Sequence, residues 1–370
     1  MPHSIRKMRQ LFYFLLLVPA LVFAQQEGRY SIEASYFYGN ILPHNKIIKH
    51  LITAHPEGVM ISFNRKTFGS KAWHSAYNFP DYGLSFHYQD MKNETLGDMY
   101  GLYGHYNFYF LDRNLMLRVG QGVSYNTNPY DRENNFRNYA YSTHLMPSTY
   151  FMLNFKKQDV WQGLGFQAGV TFIHHSNANI KAPNTSTNTF AVNAGINYTF
   201  SRSEANTFAT AVYDTLTFTQ PIKYNIAFRG GANESDVIGS GRYPYYALSL
   251  YADKRWHRKS AFQLGADVFW AKYLEEYIKY KSVAYPEDNL DGDTDYRKVG
   301  IFAGHELFIN NMSVEAQAGV YVYAPFNSTG RTYQRVGLKY YFGETLFTEI
   351  SLKTHLAKAE VLEFTVGVRL

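Results

Sequence analysis

Cysteine is absent from all 370 residues. That excludes a disulfide framework and any thiolate metal site, and it fits an exported chain. Charge is scarce: Asp, Glu, Lys and Arg make up 18%, against about a quarter in ordinary soluble domains. There is no Lys/Arg-rich run and no binding motif, so the net charge of +6 does not point to nucleic acid. Long apolar runs are missing as well. The longest, Leu11–Ala24, is too short to cross a bilayer as a helix, which takes about 20 residues. No repeat, low-complexity tract or domain boundary stands out. What is abundant is aromatic: 33 Tyr and 28 Phe, a load that excludes disorder. The remaining class is a large Tyr-rich β chain whose apolar residues are dispersed.

Residues 1–24 read as a signal peptide. Arg6, Lys7 and Arg9 form a basic start, Leu11–Ala20 an apolar stretch, and Val22-Phe23-Ala24 a small-residue cleavage site. Gln25 follows the cut where a lipid-anchored protein would have Cys.

From Ser31 onward the pattern has period two. In Trp161–Ser176, Leu164, Phe166, Ala168, Val170 and Phe172 alternate with Gly165, Gln167, Gly169 and Thr171. In Asn188–Phe200, Phe190, Val192, Ala194, Ile196 and Tyr198 share one face. The chain ends the same way, with Leu362, Phe364, Val366, Val368 and Leu370. Strands of about ten residues suit a tilted membrane span. Strands of a soluble sandwich average about five or six. The apolar face then meets lipid, and a polar face with Glu306, Asp267, Glu315, Glu349 and Arg369 lines the lumen. His105, His355 and Lys353 are expected in the same network. Backbone groups in lipid must all be paired, so the sheet must close. Connections alternate between short (Asp112–Asn114, Lys157–Val160, His257–Ser260) and long (Thr127–Leu145, Asn177–Thr187, Lys272–Arg297). Arg65–Pro80 and Arg202–Ile222 are long where short turns are expected. The reading is an all-β, closed antiparallel transmembrane β-barrel of about 14 strands, in a range of 12–16, occupying residues 25–370 as one domain.

One strand end carries candidate chemistry. Past Phe172, the lipid-facing positions of Trp161–Ser176 are His174 and Ser176, and Asn188 opens the same face of the next strand. A serine is a weak nucleophile until a base accepts its proton. Histidine is that base, and a third group must hold its tautomer. Two readings stay open here: polar strand ends at the membrane boundary, or a catalytic pair facing lipid. His174 and His175 cannot share a metal, because strand neighbours face opposite ways. No cofactor or metal cluster is legible.

The run His174-His175-Ser176-Asn177-Ala178, with Pro183-Asn184 and Asn188, resembles the lipid A 3-O-deacylases, PagL-type outer-membrane barrels. Their motif is His-x-Ser-Asn-Ala/Gly with a third triad member twelve residues after the serine. The likeness is close over His174–Phe200 and looser over Ser31–Phe200. The rest resembles longer relatives, often called acyloxyacyl hydrolases. The resemblance implies His174 as general base, Ser176 as nucleophile, Asn188 as third member and Asn177 as oxyanion donor. It also implies a bacterial outer-membrane esterase, embedded in the membrane, acting without cofactor on lipid A of lipopolysaccharide in the outer leaflet. Smaller relatives have Glu where this chain has Asn188. That departure keeps an alternative alive: outer-membrane phospholipase A also resembles this constellation, with Asn twelve residues after its Ser. That enzyme depends on calcium, and Asn177–Thr187 offers no acidic cluster to hold the ion. A non-catalytic, porin-like barrel is the second alternative. Neither the oligomeric state nor the ester cleaved is legible.

Overall fold

The computed structural model describes residues 30–200, 220–356 and 358–370, with Phe208 and Phe218. The expected signal peptide lies outside the described residues. Among the described residues, sixteen antiparallel strands form, and they close as two separate rings of eight. The first ring is β1 (Tyr30–Ile41), β2 (Glu57–Arg65), β3 (Asp81–Asp90), β4 (Asp98–Phe110), β5 (Leu115–Asn126), β6 (Leu145–Trp161), β7 (Leu164–His175) and β8 (Thr187–Thr199). The second is β9 (Lys223–Glu234), β10 (Arg242–His257), β11 (Ser260–Ala271), β12 (Lys298–Ile309), β13 (Met312–Tyr323), β14 (Thr332–Phe342), β15 (Leu346–His355) and β16 (Lys358–Arg369).

The all-β closed-barrel class holds, and the strand count sits at the top of the expected range. The single ring through residues 25–370 is corrected. β1 pairs with β8 from Ser31↔Thr199 to Ile41↔Thr189, so the first sheet is sealed before β9 begins. β16 then seals the second sheet against β9. Alternation marks each strand locally, whereas closure depends on a pairing between strands far apart in sequence.

Two compact units divide the chain, and their boundary does not follow the sequence order. The first contains the β1–β8 ring; the second contains the β9–β16 ring together with residues 130–143 and 176–186.

Both rings present apolar residues outward. Leu164 and Phe166 are 37% and 48% exposed on the outer wall, which is where alternation expects them. An eight-stranded interior is just wide enough to be filled by side chains, and here the filling is charged. In the first ring Arg118 Nη2 meets Glu33 Oε2 at 2.6 Å and Arg118 Nη1 donates to Ser62 at 2.7 Å, while Lys156 binds the other oxygen of Glu33. In the second, Arg229 meets Glu349 at 2.7 Å, Arg335 meets Glu363 at 2.6 Å and Asp267 at 3.2 Å, and Lys339 meets Glu306 at 3.3 Å. Arg369 pairs with Asp253 at 2.7 Å. Glu306 therefore points inward and pairs with a basic residue, on the next strand but one. His355 and Lys353 share Glu360. His105 is the exception to the expected network. It lies on β4 in the first ring, where it contacts Ser85 and Asn64.

Two turns differ from expectation. Lys157–Val160 belongs to β6, and the reversal comes at Gln162-Gly163, where both φ angles are positive (47° and 88°). Arg65–Pro80 is long because it carries a short helix, α1 (Ala72–Ala76). Beside it, Asn78 donates to the Tyr109 carbonyl and Arg113 donates to the Phe79 carbonyl. Arg202–Ile222 falls mostly outside the described residues. It joins two closed sheets, so no hairpin constraint limits its length.

Candidate active site

His174 and Asn188 stand directly opposite each other in the β7–β8 register. Opposed residues share a face, with Cβ atoms about 4.5–5.5 Å apart. Here that face is the outer wall, where His174 is half-buried at the end of β7. Its Nδ1 lies 2.6 Å from Asn188 Oδ1. An amide oxygen accepts only, so Nδ1 carries the proton and Nε2 keeps its lone pair. An imidazole held this way is ready to act as a base.

His175 takes the opposite face and is fully buried. It contacts Ser148 Oγ at 3.0 Å and Gln89 Oε1 at 3.3 Å, and stacks on His87. Ser148 also donates to the His174 carbonyl at 2.9 Å, steadying the β7 end from inside the ring.

β7 stops at His175, so the alternation does not extend to Ser176. Ser176 opens the loop of residues 176–186 in the second unit. It is 8% exposed. Its Oγ donates to Asn184 Oδ1 at 3.2 Å and receives Asn184 Nδ2 at 3.0 Å and the Ala178 N–H at 3.2 Å. Ala178 and Asn179 both have positive φ, 54° and 62°. For alanine that is an uncommon backbone state, of a kind that clusters where function requires it.

Asn177 is fully buried and knits the loop together. Its Nδ2 donates to Ser142 Oγ at 3.0 Å and to the Lys181 carbonyl at 2.8 Å, and its Oδ1 receives the Asn179 N–H at 3.0 Å. Both amide protons are thus engaged. Its backbone N–H donates to Asn184 Oδ1 at 3.0 Å.

Three of these partners were not singled out from sequence for a role: Asn184, Ser142 and Ser148. Each acts through hydrogen bonds set by tertiary folding, and neither period nor spacing marks them. A cavity of about 590 Å³ lies elsewhere in the second unit. It sits between the loop after β9 and the helix α2 (Lys272–Ala284), lined by Val237, Ile238, Tyr277, Tyr280 and Val283.

With this geometry in view, comparison with known proteins defines a class: outer-membrane β-barrel hydrolases. Residues 57–197 match the family described as lipid A 3-O-deacylase (PagL), and residues 222–370 match the acyloxyacyl hydrolase C-terminal domain. The chain belongs to this lipid A deacylase family. The two matches fall on the two rings, and the gap between them falls on the connection from β8 to β9. No curated protein matches the chain. Among solved structures, two mutants of the Rh. blastica porin are similar at 9% identity, each covering 92% of this chain, with TM-scores of 0.19 and 0.20. The chain covers 99% and 100% of those two porins. Such scores are too low to define a shared arrangement, so the fold rests on the strand pairing.

Proposed function

We propose that the protein removes an ester-linked acyl chain from lipid A by a serine–histidine mechanism at the outer wall of the first ring. The observation that carries this is the 2.6 Å contact between His174 Nδ1 and Asn188 Oδ1 on a face that otherwise meets lipid. A polar pair there adds nothing to packing, whereas an ester at headgroup level needs a base on that side. Ser176 Oγ attacks the ester carbonyl as His174 Nε2 takes its proton. The tetrahedral intermediate collapses, and His174 returns the proton to the departing lipid A hydroxyl. Water, activated by the same imidazole, then releases the fatty acid and restores Ser176.

The developing oxyanion needs N–H donors about 2.7–3.1 Å away. Asn177 is the donor the family resemblance implies, but its amide would first have to leave Ser142 or Lys181. Asn184 Nδ2, already at the nucleophile's oxygen, is the donor that the hydrogen bonds favour.

The porin-like alternative needs an open lumen. Arg118, Lys156, Arg229, Arg335 and Lys339 are all buried in ion pairs within the two interiors, which speaks against conduction. The test is mass spectrometry of lipid A from cells making the protein or its Ser176→Ala variant at equal level. Loss of one acyl chain from lipid A with the wild type only is the expected result. Equal deacylation by both would end the serine mechanism.

A further inference from the structure

The outward positions of β9 are the even-numbered ones: Tyr224, Ile226 and Phe228 are exposed, while Asn225, Ala227 and Arg229 are buried. Glu234 ends this strand on the outward parity, yet it is 3% exposed. A carboxylate on the lipid-facing side of a barrel is disfavoured, so burial there calls for a reason. Its partners supply one. Glu234 Oε2 accepts the Ala182 N–H at 2.8 Å, its backbone N–H donates to the Asn179 carbonyl at 3.2 Å, and its backbone carbonyl accepts Asn179 Nδ2 at 3.1 Å. Glu234 Oε1 accepts the Gly241 N–H at 3.1 Å. One residue thus grips the Ser176 loop at two points, three residues after the serine and two before Asn184. Both points lie inside the compact unit that contains the second ring.

We propose that Glu234 is a positioning residue for the deacylase reaction: it fixes the loop that presents Ser176 and Asn184. The inference rests on Ser176 being the nucleophile. A carboxylate suits the task because its two oxygens take two backbone N–H groups at once, and charge-assisted bonds of this kind are about twice as strong as neutral ones. Glutamine keeps one acceptor and turns an N–H toward the other site.

The experiment uses the full-length protein in detergent, with two readouts: steady-state deacylation of lipid A, and the rate at which a fluorophosphonate probe labels Ser176, located by peptide mass mapping. Glu234→Ala should lower kcat by about 10²-fold, the scale of a small misplacement of reacting groups, with KM little changed. Labelling should slow in parallel, while the folded band on an unheated gel persists. Glu234→Gln should fall between Ala and wild type. Should Glu234→Ala fail to give the folded band, Glu234→Gln and Asn179→Ala carry the test, each expected to slow labelling. Wild-type labelling and kcat in folded Glu234 variants would overturn the inference and leave the serine mechanism standing. Labelling or deacylation that survives Ser176→Ala would overturn both.

Discussion

At the scale of single residues, the decisive feature is the side chain opposite His174. Asn188 orients the imidazole through Oδ1 but brings no charge to stabilise an imidazolium. Asn188→Ala should therefore lower kcat by less than the roughly 10⁴-fold that a triad carboxylate is worth. Asn188→Glu should leave the rate unchanged or raise it, with lipid A mass spectra at matched expression as the readout. His174→Ala and Ser176→Ala should each abolish cleavage, and the double variant should be little worse than either, because such residues act as a unit. Asn184→Ala should cost about 10²–10³ in kcat if its amide meets the oxyanion. Asn177→Ala should also leave residues 176–186 more open to protease, since three side-chain bonds of the loop depend on it.

At the scale of elements, each ring is held from within by ionic bonds and from without by apolar residues. The first ring relies on Glu33, which receives Arg118 from β5 and Lys156 from β6. Removing one partner of a buried pair strands a charge and costs about 3–5 kcal/mol, whereas replacing the whole group with apolar residues of similar volume is far milder. Arg118→Met should thus lower the temperature at which the folded band on a gel is lost. Replacing Glu33, Arg118 and Lys156 together with apolar residues should recover much of that loss. The same logic explains the charged residues at alternate positions of β12 to β16. Glu306, Glu315, Glu349 and Arg369 were legible as lumen-facing from period two alone, because a lipid-facing charge has no partner.

At the scale of the molecule, the proposed serine–histidine mechanism carries its own nucleophile and base. Among the described residues, no three His, Asp or Glu side chains come together to hold one. Deacylation should survive EDTA; activity lost to chelation and restored by Ca²⁺ would favour the phospholipase reading instead. The outward faces of β7, β8 and β16, the inward charges and the common side of His174 and Asn188 were determined by sequence, since side-chain direction in a strand follows from position along it. Tertiary structure alone decided three things. It closed the sixteen strands as two rings, because the β1–β8 pairing joins residues that no local pattern connects. It placed His105 in a different interior from Glu306. It also ended β7 one residue before Ser176, handing the serine to a loop whose hydrogen bonds, not its strand period, set where its hydroxyl lies.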